Sequence, residues 1–149
     1  MSSSKKLKNY IYNGLGFPVL LQEAEFRKIS GKWLLKIDVE KVSDEVMKAL
    51  PTKPVGLTGS EIRFIREYFN LSKRKFAEEL NVSHTAVNKW EDKENEKAKI
   101  DPHVEITLRA LVKIKLHQDN DFSNFFKLLM YDSKRFADDL ENAPLRIAI

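Results

Sequence analysis

Three histidines, His84, His103 and His117, are the side chains best suited to proton transfer or metal binding near neutral pH, and they are scattered along the chain. No Ser-His-acid grouping in a recognisable context and no His-Glu pair at metal-ligand spacing accompanies them. Cysteine is absent, which removes thiol nucleophiles, disulfides and zinc-thiolate sites together. The segment NGLGF has Gly14 and Gly16 but neither the third glycine nor the following helix of a phosphate-binding loop, so it reads as a tight turn before a strand at Phe17. These patterns imply no enzyme activity, no metal and no cofactor. Polar chemistry of another kind gathers in residues 71–91, LSKRKFAEELNVSHTAVNKWE. Helical spacing that buries Val87 and Trp90 leaves His84, Thr85, Asn88 and Lys89 outward, so an imidazole, a hydroxyl, a carboxamide and an ammonium share one face.

Those side chains act together only if helices of fixed length hold them. Thr58 and Glu61 form a T-x-x-E capping box ahead of Ile62, Ile65 and Phe69, which predicts a helix over 59–70. Ser72 caps a second helix containing Phe76, Ala77 and Leu80, and Ser83 caps a third in which Val87 and Trp90 face inward. EDKENEKAK (91–99) is a charged loop. Asp101 followed by Pro102 starts a long helix through Val104, Leu108, Leu111 and Ile114. A last helical region is expected over 122–140, broken near Asp132 and Ser133.

The N-terminal third has another character. Residues 10–38 hold Gly14, Gly16 and Gly31 and several β-formers, with Ser30-Gly31 as a hairpin tip. Phe17, Val19 and Leu21 alternate before the tip, and Trp33, Leu35 and Ile37 after it. Packing of Phe17, Val19, Trp33, Leu35 and Ile37 is expected to hold this sheet. SDEVMKAL predicts a short helix capped by Ser43, with Asp44 and Glu45 in its first turn. PTKPVG, two prolines and a glycine in six residues, reads as a linker. The fold class is therefore α+β: a small N-terminal antiparallel β-hairpin sheet with a short helix over 1–52, a linker at 53–57, and an all-α domain of about five helices over 58–149.

The segment LTGSEIRFIREYFNLSKRKFAEELNVSHTAVNKWE resembles the Cro-repressor-like (Xre) helix-turn-helix family. The likeness lies in Leu71-Ser72 opening the second helix, Ala77 early within it, the turn Val82-Ser83, and Trp90-Glu91 closing the third. Ala77 must be small where two helices cross, and residue 81 should take a positive φ, for which Asn81 replaces the family's usual glycine. The resemblance implies a structural core of Ala77, Val82, Val87 and Trp90, and an ion pair between Arg66 and Glu91. It implies a third helix in the major groove of double-stranded DNA, with His84, Thr85, Asn88 and Lys89 reading bases. Asn88 can pair with adenine, Lys89 can donate to guanine, and the Thr85 methyl can touch thymine. Ser72, Lys73, Arg74, Lys75 and Lys93 are the matching phosphate contacts, and a homodimer on a palindromic operator is implied. A small N-terminal sheet before such a domain is similar in architecture to the MqsA-like antitoxins of toxin-antitoxin operons, without their zinc cysteines. That likeness implies repression of the chain's own operon and a protein toxin as partner; a stand-alone repressor of the same kind shares every DNA expectation. Trp33 and Tyr12 are the candidate docking anchors.

Composition agrees with such a role. Apolar residues make up 42% of the chain, enough for a packed interior. The net charge of +4 suits an anionic partner. Residues 58–99 carry nine Lys/Arg against eight Asp/Glu, so basic groups there must be sorted onto one face to meet DNA. No apolar run approaches the roughly 18 residues a membrane helix needs, and MSSSKKLKNY lacks the apolar core of a secretory signal. A cytoplasmic protein is expected.

Overall fold

Ser30 and Gly31 close a two-residue turn with φ of 50° and 80°, the left-handed geometry that matches strand twist, and the flanking strands pair outward from it. In the computed structural model, which describes residues 3–116 and 145–148, β2 (Val19–Ile29) lies between β1 (Ser4–Tyr12) and β3 (Lys32–Lys36) and runs antiparallel to both. β4 (Leu145–Ile147) joins β2 in parallel opposite Val19, Leu20 and Leu21. Asn9 takes φ 57° within β1, and the register to β2 is the same on either side of it. Most of β1 and all of β4 escape a reading by alternation, because one is lysine-rich and the other is three residues long.

Phe17, Val19 and Leu21 are buried as expected, but Trp33 is 41% exposed, and Leu35 and Ile37 are half-buried. Alternation tells which residues share a face, not whether anything covers it. Helix α1 (Val39–Ala49) begins earlier than Ser43, which lies inside it. The Asp38 carboxylate accepts the Lys41 N–H at 3.2 Å and takes the capping role assigned to Ser43. The boundary between two compact units falls inside this helix, after Val46, with β4 belonging to the first unit.

Near its start the second unit contains a segment whose composition suggested a linker. Lys53, Val55, Gly56 and Leu57 are buried. Arg109 of α5 (Pro102–Lys115) donates to the carbonyl oxygens of Lys53 at 2.6 Å and Val55 at 2.7 Å, and the Glu105 carboxylate accepts the Leu57 N–H at 2.8 Å. Prolines and glycines mark irregular backbone, and here α5 satisfies the polar groups such backbone would otherwise show to water.

Helix α2 (Gly59–Tyr68) starts on the Thr58–Glu61 capping box. Helices α3 (Lys73–Leu80) and α4 (His84–Glu91) are capped by Ser72 and Ser83. Between them Asn81 takes φ 55°, and the Val82 N–H reaches back to the Ala77 carbonyl at 2.9 Å, closing the end of α3. Helix α4 packs on α2 and α3. Ile62, Ile65, Phe76, Leu80, Val87 and Leu108 are buried, while Ile114 stands exposed. The chain is mixed α+β, with a four-stranded sheet and five α-helices among the described residues. The helix expected over 122–140 lies outside those residues. No described helix is long and apolar enough to cross a membrane.

Candidate nucleic-acid interface

Helix α4 is eight residues long, and its register decides which groups it offers. Val87 and Trp90 are closed off, as the helical spacing predicts. His84, Thr85 and Lys89 are exposed, and Asn88 is half-buried at the margin. Lys73, the first residue of α3, donates from its Nζ to the Asn88 Oδ1 at 2.8 Å. One of the expected backbone contacts and one of the expected base readers are thus joined by a hydrogen bond. Thr85, Lys89 and Lys93 line an open groove of about 430 Å³ beside α4, with Ser83, Trp90 and Lys99. Ser72 is exposed and spends its hydroxyl on the cap, accepting the Lys75 N–H at 3.1 Å. Arg74 and Lys75 are exposed on α3, and the Lys75 ammonium stands 3.9 Å from Glu78.

Beneath this surface Ala77 is buried and Val82 half-buried. Glu91, the last residue of α4, is buried and accepts hydrogen bonds from Arg66 Nε at 2.8 Å and Nη2 at 3.0 Å. Arg63 Nε adds a third at 3.1 Å. Burial alone would raise the Glu91 carboxyl, but the hydrogen bonds from Arg66 and Arg63, together with the positive charges of Arg66 and Lys73, outweigh it and hold the group below the ordinary carboxylate range. The bond to Glu91 likewise raises Arg66. The Arg66 Nη1 also donates to the Leu71 carbonyl at 3.0 Å, so one guanidinium ties the end of α4 to the loop entering α3.

Comparison with protein-family models, curated proteins and solved structures gives no match. The surface around α4 is therefore judged on its own geometry. Two residues that position it were not singled out in the sequence. Arg63 is one turn before Arg66, an i,i+3 spacing that places both on one side of α2. Gly59 is the other: a Cβ there would collide with the Trp90 carbonyl oxygen and crowd the Glu94 amide, so the start of α2 meets the end of α4 only without a side chain. The Ser60 N–H donates to the Glu94 carbonyl at 2.7 Å across the same junction. The described residues contain no group of three or more His, Asp or Glu placed to hold a metal ion.

Proposed function

We propose that α3, the turn at Asn81 and α4 form a helix-turn-helix of the Cro-repressor-like kind, and that the chain is a sequence-specific DNA-binding regulator of transcription. The observation that carries this is the sorting of α4: Val87 and Trp90 are buried, His84, Thr85 and Lys89 are exposed, and Asn88 is held at the edge by Lys73. A helix so arranged offers donors and acceptors of the types that distinguish base pairs in the major groove. Arg74, Lys75 and Lys93 would meet phosphates on either side, which positions the helix without reading sequence. A single module makes few contacts, so a homodimer on a palindromic operator is the natural assembly. Within this class the chain fits an antitoxin that represses its own operon in the cytoplasm and docks a partner toxin through its first unit. Ile29 and Leu34, both about half exposed on that unit's sheet, are apolar groups suited to a protein partner.

The test is selection of bound duplexes from a randomised pool by the full chain. Enrichment of a two-fold symmetric site, with weaker binding to scrambled duplex, is the expected result. Binding that stays equal across the pool overturns the proposal.

A further inference from the structure

We propose that the sheet of the first unit carries a second nucleic-acid site, independent of α4, whose ligand is a single strand. Paired residues in a β-ladder share a face, and so do alternate residues along each strand. Lys5 pairs with Phe26, and Lys28 pairs with Trp33, which places two lysines and two aromatic rings on one face. The Lys5 ammonium stands 4.5 Å from the Trp33 ring centroid and 5.7 Å from that of Phe26, and Lys28 lies 5.9 Å from Trp33. The carboxylates of β1, β2 and β3 are Glu23 and Glu25, and both turn to the opposite face. There Glu23 pairs with Lys6 at 3.2 Å and Glu25 with Lys36 at 3.8 Å. The ladder thus gathers both rings with Lys5 and Lys28 on a face that no carboxylate of these three strands shares.

Two polyanions suit cations, but only one also uses an open ring. A purely acidic chain such as polyglutamate would engage Lys5 and Lys28 alone. A nucleic-acid strand stacks its bases on aromatic rings while lysines follow its phosphates. Trp33 is 41% exposed, and a base can take the place of the Lys5 ammonium over its ring while that ammonium moves onto a phosphate. Neither group is then left without a partner.

The experiment is fluorescence anisotropy of a labelled oligothymidylate titrated with the full chain over a range of salt, with polyglutamate as the competing polyanion. Trp33→Ala is expected to weaken binding about tenfold, and Trp33→Phe to keep most of it. Lys5→Gln is expected to lower the slope of log K against log salt by about 0.7. Arg74→Ala, expected to weaken duplex binding of every sequence, is expected to leave oligothymidylate binding unchanged, so failure here and failure of the duplex proposal can be told apart. Trp33 is not a core residue, and an unchanged thermal melt checks that its variants fold. Wild-type affinity in Trp33→Ala, or polyglutamate competing as well as unlabelled oligothymidylate, overturns the proposal in favour of a purely electrostatic or acidic-protein surface. Loss of binding in Arg74→Ala overturns it in favour of a non-specific activity of the α3–α4 surface.

Discussion

Asn88 differs from the other polar residues of α4 because its carbonyl oxygen already has a partner, the Lys73 ammonium 2.8 Å away. That bond turns the amide so that its NH₂ remains to donate, while the oxygen keeps a second lone pair. Asn88→Ala should therefore reduce discrimination between a selected site and scrambled duplex by roughly 1–3 kcal/mol, with little change in non-specific binding. Competition titrations against both duplexes measure this, and an equal loss on each would remove Asn88 from base reading. Arg74→Ala and Lys75→Ala should act differently, because their side chains stand exposed on α3 away from that bond. Each is expected to weaken binding to all duplexes and to lower the salt slope by about 0.9. An unchanged slope would place them off the phosphate path. Lys73→Ala should combine both effects, since it takes away a charge and the support of Asn88.

Helices α2, α3 and α4 were legible in the sequence because each announces itself twice, by a side-chain cap and by an apolar stripe. Thr58, Ser72 and Ser83 all cap the helices assigned to them. The Arg66–Glu91 pair came from a family resemblance, and Arg63, its third member, had no signal except its spacing from Arg66. Ser43 misled because Ser and Asp both cap, and only the backbone decides that Asp38 does so. The partial exposure of Trp33 was illegible because alternation does not reveal what lies above a sheet. At this scale Trp90→Ala should lower stability by roughly 3–5 kcal/mol in chemical denaturation, because the indole fills the space among α4's neighbours and the cavity cannot fully close. A variant as stable as wild type would put α4 in another register. Acid should act on the same helix end. The folded Glu91 carboxyl sits below its ordinary value, so the stability it contributes is present above the ordinary carboxylate range and is lost as pH falls through the folded value. Glu91→Gln should lower stability by about 1.5–3 kcal/mol at neutral pH and flatten the acid limb of a stability-against-pH curve. A limb as steep as wild type would assign acid sensitivity to other carboxylates.

At the scale of the whole chain, the segment over 51–56 is more buried than its composition suggests. PTKPVG has the composition of a connector, yet the unit begins at Met47 and treats the segment as interior. What makes this possible is four buried charges that balance. The Lys53 ammonium donates to both carboxylate oxygens of Glu61, at 2.7 and 2.9 Å, and Arg109 faces Glu105 at 3.4 Å. Glu61 also accepts the Thr58 N–H at 2.8 Å, so one carboxylate fixes the entering chain and starts α2. Burial pushes the Arg109 guanidinium below its ordinary value, with Glu105 opposing that shift. A buried pair contributes little net stability over an apolar substitute, but half of one is costly, since an uncompensated charge remains away from water. Lys53→Met should thus cost roughly 3–5 kcal/mol by leaving Glu61 alone. Adding Glu61→Gln should restore much of the loss, because the amide oxygen can still accept the Thr58 N–H while the stranded charge is gone. A double-mutant cycle measured by chemical denaturation decides the matter. Losses that simply add would mean that ammonium and carboxylate are independent, and that hydrogen bonds from α5 alone hold the segment in the unit.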